Sequence, residues 1–390
     1  MPQVNPEIIR WARESAELSL EEAARKIGMS TSQKSTGAEK LQLIETGGKD
    51  PTQAQLISMA EVYHRPLITF YLVRPPIKGD RGEDFRKLPP DFSREENALL
   101  DALLRDVKAR QSMVRALLED EDEADRLDFV GSSKRSAGVE VIAEAIRSRL
   151  GISLEAIRSC GSKNEVFNFI RQRAEDAGVF VLLIGDLGSH HTDIGTDIFR
   201  GFAIADDVAP FIVINDNDSK GAWSFTLLHE LAHLWLGEEG VSNSSAWADN
   251  QIEKFCNNVA GEILLPDVEV LGLNVTPNTS RSDVVHVIQA FSSETNLSNT
   301  LIAYNLYRTG KLTLEQYQEL SREFRQRWFE SKPKSKDGSG PTYHILRRHR
   351  LGAAIVNLMA RMLRGGAVSP TKAAKILGIK AHNISQVLGS

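Results

Sequence analysis

One pentapeptide restricts this chain more than any other stretch. It is His229-Glu230-Leu231-Ala232-His233, set in an apolar, helix-forming run from Ser224 to Gly237. Four residues make about one helical turn, so the two histidines stack on one face of the helix. Phe225, Leu227, Leu228, Leu231, Leu234, Trp235 and Leu236 make the helix apolar almost all round, which predicts burial. Two imidazoles and a carboxylate are costly in such surroundings unless something satisfies them. One Zn²⁺ accounts for all three, with His229 and His233 as ligands and Glu230 beside them as a general base. That arrangement suits hydrolysis of a peptide bond. A core helix whose histidines bond internally would need a separate partner for each polar group.

A third ligand is required, and a second helical stretch offers one. In Asn250-Gln-Ile-Glu-Lys-Phe-Cys-Asn-Asn-Val-Ala-Gly-Glu-Ile-Leu-Leu-Pro266, the residues Ile252, Phe255, Cys256, Val259, Ala260, Ile263 and Leu264 share the inward face. Glu253 lies near that face, one turn before Cys256. Glu262 and Asp249 compete with it, Glu262 reading as solvated flank and Asp249 as an N-terminal cap. Two histidines and a glutamate leave the fourth position of a tetrahedral ion open, the form of a catalytic site.

The two helices together resemble the ImmA/IrrE metallopeptidases, gluzincin-like proteins of bacteria and phages. Phe225-Thr-Leu-Leu-His-Glu-Leu-Ala-His and Ile252-Glu-Lys-Phe-Cys-Asn-Asn-Val-Ala-Gly-Glu-Ile-Leu-Leu-Pro carry the likeness at the expected separation, and it extends over most of the chain. Carried over by position, it makes His229, His233 and Glu253 the ligands of one Zn²⁺ per chain and Glu230 the base. Val259 departs from the pattern, since many relatives have Phe there.

Composition sets the wider bounds. Hydrophobic residues at 41% and charged residues at 25% are those of an ordinary globular protein, and no apolar run reaches the length of a membrane span. Two cysteines, Cys160 and Cys256, give no disulfide framework and fit a reducing, cytoplasmic setting. The fold class that follows is α+β and mostly helical. A zincin (gluzincin-like) core with a small β-sheet is flanked by helix-turn-helix-like helical domains.

Residues 1–75 resemble an Xre-type helix-turn-helix domain. Asn5-Pro6 opens the first helix, Ser19-Leu-Glu-Glu22 is a capping box on the second, and Thr52 caps the fourth. The spacing from Gly28 to Glu45 is longer than usual, where the recognition helix should begin. Nine basic and nine acidic side chains leave the module without the positive field that phosphate binding uses. Residues 76–135 read as a linker, a docking segment at Asp84-Phe-Arg86 and one long helix, ending in the solvated acidic run Glu119–Glu123.

The peptidase domain is expected over 136–270, with strands at 179–184, 200–205 and 210–215. Pro210–Asn215 is the candidate edge strand for aligning an extended peptide, with a central strand as the alternative. In the loop 189–193, His190 and His191 point apart and make a poor metal pair; either one, or Arg200, is a candidate donor to the transition state. Residues 271–332 read as a helical, helix-turn-helix-like domain, whose Ser298 and Asn299 could touch DNA or which could instead be a clamp that closes the substrate cleft. Residues 338–390 form a basic helical module with no acidic residue, in which Leu351 to Met362 fit one helix. Arg347, Arg348, Arg350, Lys372, Lys375 and Lys380 are its candidate nucleic-acid contacts, though the module could instead pair with the acidic run or an acidic protein.

The activity implied is that of a zinc endopeptidase acting on a protein substrate. The resemblance implies a helix-turn-helix repressor, cut to control stress, mobile-element or toxin-linked genes, with DNA as a further partner and no membrane. The alternative is a DNA-binding regulator or antitoxin-like module whose zincin fold serves as sensor or scaffold. An intact Glu230 argues against it.

Overall fold

Short polar residues open most of the helices. The computed structural model describes residues 4–32, 35–76, 94–188, 192–237, 240–242, 251–331 and 342–389. Asn5 accepts from the Glu7 amide at 3.0 Å to start α1 (Pro6–Ser15), with Pro6 in the first turn, where its missing N–H costs no helical bond. Ser19 and Glu22 box the start of α2 (Leu20–Ile27), and Thr52 and Gln55 box that of α4 (Gln53–Val62). A third box, Thr36 with Glu39, starts α3 (Gly37–Glu45). The extra length after Gly28 forms a connection in which Ser32 and Ser35 pair as an isolated bridge. Ile8, Ile9, Leu41, Ile44, Met59 and Phe70 are buried in a core shared by these helices.

The chain divides into two compact units. The first holds α1 to α4 and the N-terminal half of α5 (Arg94–Asp120), and the second begins within α5 at Val107. The expected linker and docking segment, the boundary at 331–341, and His190, His191 and Asp249 fall wholly or mainly outside the described residues.

In the second unit, α6 (Val139–Leu150), α7 (Leu154–Arg158) and α8 (Lys163–Asp176) precede the sheet. β1 (Phe180–Leu183), β2 (Gly201–Ile204) and β3 (Phe211–Ile214) lead to α9 (Lys220–Leu236), after which β4 (Gly240–Ser242) and α10 (Gln251–Leu264) follow. The strand order is β1-β3-β2-β4. β1 runs parallel to β3 with Phe180 opposite Phe211, and β2 is antiparallel to both β3 and β4. The strand expected at the edge, β3, is therefore interior, and every one of its residues is buried. A continuous Phe-Ile-Val-Ile run suits a strand covered on both faces. The edge beside β2 is the short β4, which has no apolar signature of its own.

Helices α11 (Asp267–Gly272), α12 (Arg281–Thr295), α13 (Asn299–Arg308) and α14 (Leu314–Ser331) complete this part. Their Val270, Val284, Ile288, Leu301, Leu306 and Phe324 join the same core as Leu227, Leu231 and Trp235 of α9. Phe129 stacks on Trp235 with ring centroids 4.4 Å apart, covering the C-terminal end of α9.

The helix expected over Leu351 to Met362 is α16 (Ala353–Arg364), which begins two residues later, is preceded by α15 (Tyr343–Leu351) and is followed by α17 (Pro370–Leu377) and α18 (Ile384–Leu388). The break is at Gly352, whose φ of +84° is left-handed. A Cβ there would also lie 2.1 Å from Glu175 Oε1. Glu175 accepts from the Ala353 amide at 3.0 Å and from Ala354 at 3.4 Å, capping α16 from α8. Arg171, one turn earlier on α8, bonds Glu175 at 3.2 Å and the His349 carbonyl at 2.6 Å. Burial lowers the Arg171 pKa and raises that of Glu175, and each charge partly offsets the other's penalty. Removing one partner strands a buried charge. Arg171→Met is accordingly expected to lower unfolding free energy by about 3–5 kcal/mol. Denaturant titration checks this, and a shift within experimental error would deny the pair its clamping role.

The acidic run expected to be a solvated face is engaged at both ends, where Glu119 pairs with Arg115 at 2.8 Å and Glu123 with Arg361 of α16. Of the basic candidates, Arg347 donates to the Gly378 carbonyl at 2.7 Å, and Arg350 bonds Asp216 at 2.6 Å and Asp186 at 3.1 Å. Arg348 is exposed and reaches the Leu388 carbonyl at 3.3 Å, while Lys375 and Lys380 are exposed and Lys372 is half-buried. Arg347 and Arg350 are thus turned inward, while Arg348, Lys375 and Lys380 stay exposed. Half-buried guanidiniums need acceptors, and the carbonyls and carboxylates of this unit supply them.

Candidate metal centre

The apolar faces of α9 bury the polar groups at its centre almost completely. His229 is 3% exposed, and Glu230 and His233 are fully buried. Stacked one turn apart, the imidazoles bring their Nε2 atoms to 3.1 Å from each other. α10 packs against α9 and adds Glu253, whose carboxylate oxygens lie 3.2 Å from His229 Nε2 and 3.1 Å from His233 Nε2. The ligand atoms of His229, His233 and Glu253 all fall within 4.8 Å of one another. Burial alone would raise the Glu253 pKa, but the two imidazoles more than reverse that and hold it well below the usual carboxylate range.

This donor set fits a divalent ion of borderline softness such as Zn²⁺. The Nδ1 atom of each ring is buried without a hydrogen-bond partner among the described residues, so packing fixes the ring orientations. Phe225 lies 6.4 Å from His229 between ring centroids, and the Cys256 thiol is fully buried on α10. Burial pushes that thiol's pKa up.

Glu230, adjacent in sequence to His229, packs against β2 at Gly201. A Cβ at position 201 would meet Thr226 Cγ2 at 2.6 Å and Glu230 Oε1 at 2.8 Å. The glycine in β2 therefore makes room for the carboxylate, a close approach that only glycine permits. Glu262 does not face this centre and is not on a solvated flank either. It lies 3.6 Å from Arg308 and is mostly buried, which raises its pKa.

His229 and Glu253 open onto a cleft of about 580 Å³. Arg200 also lines it, with Nε 3.7 Å from Asp218 Oδ2. Its approach is set by Asn215, which is fully buried and donates to the carbonyls of Ile194 and Phe199 at 3.0 Å each, tying the segment before β2 to the end of β3. Two further contributors come from 271–332, the stretch that reads as either a DNA-contacting domain or a clamp over the cleft, although neither was named residue by residue. Tyr304 of α13 reaches the wall and donates to Asn258 Oδ1 at 3.0 Å, and α14 supplies the opposite side through Tyr317, Ser321, Arg322, Arg325 and Trp328. Their three- and four-residue spacing was the available signal, but nothing local said which face meets the metal.

Residues 182–307 match the family model of the IrrE N-terminal-like domain, Peptidase_M78. The IrrE-like match spans the ligand helices and Tyr304, and it supports the ImmA/IrrE family and, at family level, peptidase activity. It covers about a third of the chain, less than the resemblance noted above. No curated protein and no solved structure matches the chain. Among the described residues, no helix is long and apolar enough to cross a membrane.

Proposed function

We propose that this chain is a zinc-dependent endopeptidase that cuts a regulatory protein, with a helix-turn-helix repressor as the substrate. The observation that carries the reading is the convergence of His229, His233 and Glu253 at a cleft, with Glu230 buried beside them. A structural ion would have no use for an adjacent base or for a cleft. Bound Zn²⁺ supplies Lewis acidity to the scissile carbonyl and to the attacking water. Glu230 takes the proton of that water and returns it to the departing amine. Arg200, on the cleft wall, offers N–H donors to the carbonyl oxygen as negative charge develops on it. The β4 edge supports an extended peptide by main-chain pairing.

The test is direct. The purified full-length protein is expected to carry one zinc per chain by elemental analysis. Incubated with candidate helix-turn-helix repressors, it should release fragments with a defined new N-terminus. A metal-free protein that stays metal-free on zinc addition would end the proposal, as would a fully loaded one that cuts none of them and no unstructured peptide.

A further inference from the structure

The cleft beside the metal ligands carries an excess of positive charge. Apart from the ligands, its ionisable lining is Arg200, Arg322 and Arg325 against Asp218. Arg200 has Asp218 at 3.7 Å, and Arg325 bonds Asp197 at 2.6 Å. Arg322 is exposed, has no carboxylate partner among the described residues, and reaches only the Gln318 carbonyl through a long contact of 3.4 Å. Arg322 and Arg325 stand one turn apart on α14, so their guanidiniums form a cationic stripe along the cleft. The Arg325–Asp197 pair is open to water, with side chains 36% and 62% exposed, and such pairs are weak and exchangeable.

We infer that Arg322, assisted by Arg325, makes the enzyme selective for peptides with an aspartate or glutamate side chain close to the scissile bond. The inference rests on the peptidase reading. An incoming carboxylate meets the planar fork of Arg322 in a geometry that accepts two parallel hydrogen bonds. It also competes with Asp197 for Arg325. A lysine at the same place meets only repulsion, so discrimination has an unfavourable component as well as a favourable one.

The experiment uses matched fluorescent peptides that differ only in Glu, Gln or Lys at each position around a permissive core. Cleavage is followed with the zinc-loaded full-length chain, and binding with the zinc-loaded Glu230→Gln protein. At one position at least, Glu is expected to be preferred over Gln by about three- to tenfold and over Lys by more, with the preference shrinking as salt rises. Arg322→Gln should abolish the preference and Arg322→Glu should invert it towards Lys. Asp197→Asn, which releases Arg325, should strengthen the preference for Glu. Peptides cleaved or bound without regard to charge would overturn the inference while leaving the peptidase reading intact. A Glu preference that survives Arg322→Glu would also overturn it. Charge-selective binding that depends on Arg322, without any cleavage, would defeat the peptidase reading and with it the placement beside a scissile bond, leaving Arg322 only as a carboxylate-binding residue.

Discussion

Glu230→Gln should retain full zinc while kcat falls by about 10²- to 10⁴-fold, the range a positioned acid–base group supplies. The substitution keeps shape, so Thr226, Gly201 and the flanking core have nothing to refill. It removes only the lone-pair basicity that the attacking water needs. KM should change little, because Glu230 lies fully buried behind the ligands and does not line the cleft. Stability should hold or rise, since a buried carboxylate is costlier to desolvate than its amide. Measured turnover near that of the parent would assign the proton transfer elsewhere, and a loss of zinc would make Glu230 a ligand.

The second large effect belongs to the third ligand. Even outer-shell partners of metal ligands cost about 10- to 100-fold in affinity when removed, so Glu253→Ala should weaken zinc binding by at least about a hundredfold. Zinc titration under a competing chelator measures this. Thermal unfolding gives an independent readout, because a ligand at a thousand times its Kd stabilises the native state by about 4 kcal/mol. The parent should therefore lose several degrees of Tm on chelation, and Glu253→Ala almost none. Undiminished zinc in Glu253→Ala would move the third ligand to Asp249, since Glu262 is held away by Arg308.

Why the candidate metal centre was legible in sequence and its surroundings were not comes down to the range of the interactions. His229 and His233 are related by one helical turn, and the boxes at Ser19 and Thr52 by three residues, so local geometry alone relates them. Glu253 stands on a separate helix, and what singles it out is its place beside an inward face that includes Cys256, again a helical period. Three strands were visible as apolar runs, yet their order was not: β3 lies between β1 and β2, and β2 is covered by β4, only three residues long. Charge misled most. The basic residues after position 338 read as a surface for an outside partner, whereas Arg347 and Arg350 find acceptors in Gly378, Asp186 and Asp216, the last two well over a hundred positions away. Arg361 likewise finds Glu123. Sequence shows how many charges there are, but only tertiary structure shows which ones are spent internally.

The clamp on α16 changes how a shortened protein should be interpreted. Arg171 and Glu175 are placed on α8 to receive the chain around Gly352, and Arg350 fastens the same stretch to the segments that follow β1 and β3. Cutting the chain ahead of α15 would therefore do more than remove a basic appendage. It would uncover two charged groups that α8 cannot satisfy alone, and it would release the connection just upstream of α9, which carries His229 and His233. A truncated protein that fails to bind nucleic acid, or fails to cut, would report damage to the catalytic body as readily as loss of a recognition arm. Point changes at Lys375 and Lys380, which are exposed, separate the two where deletion cannot.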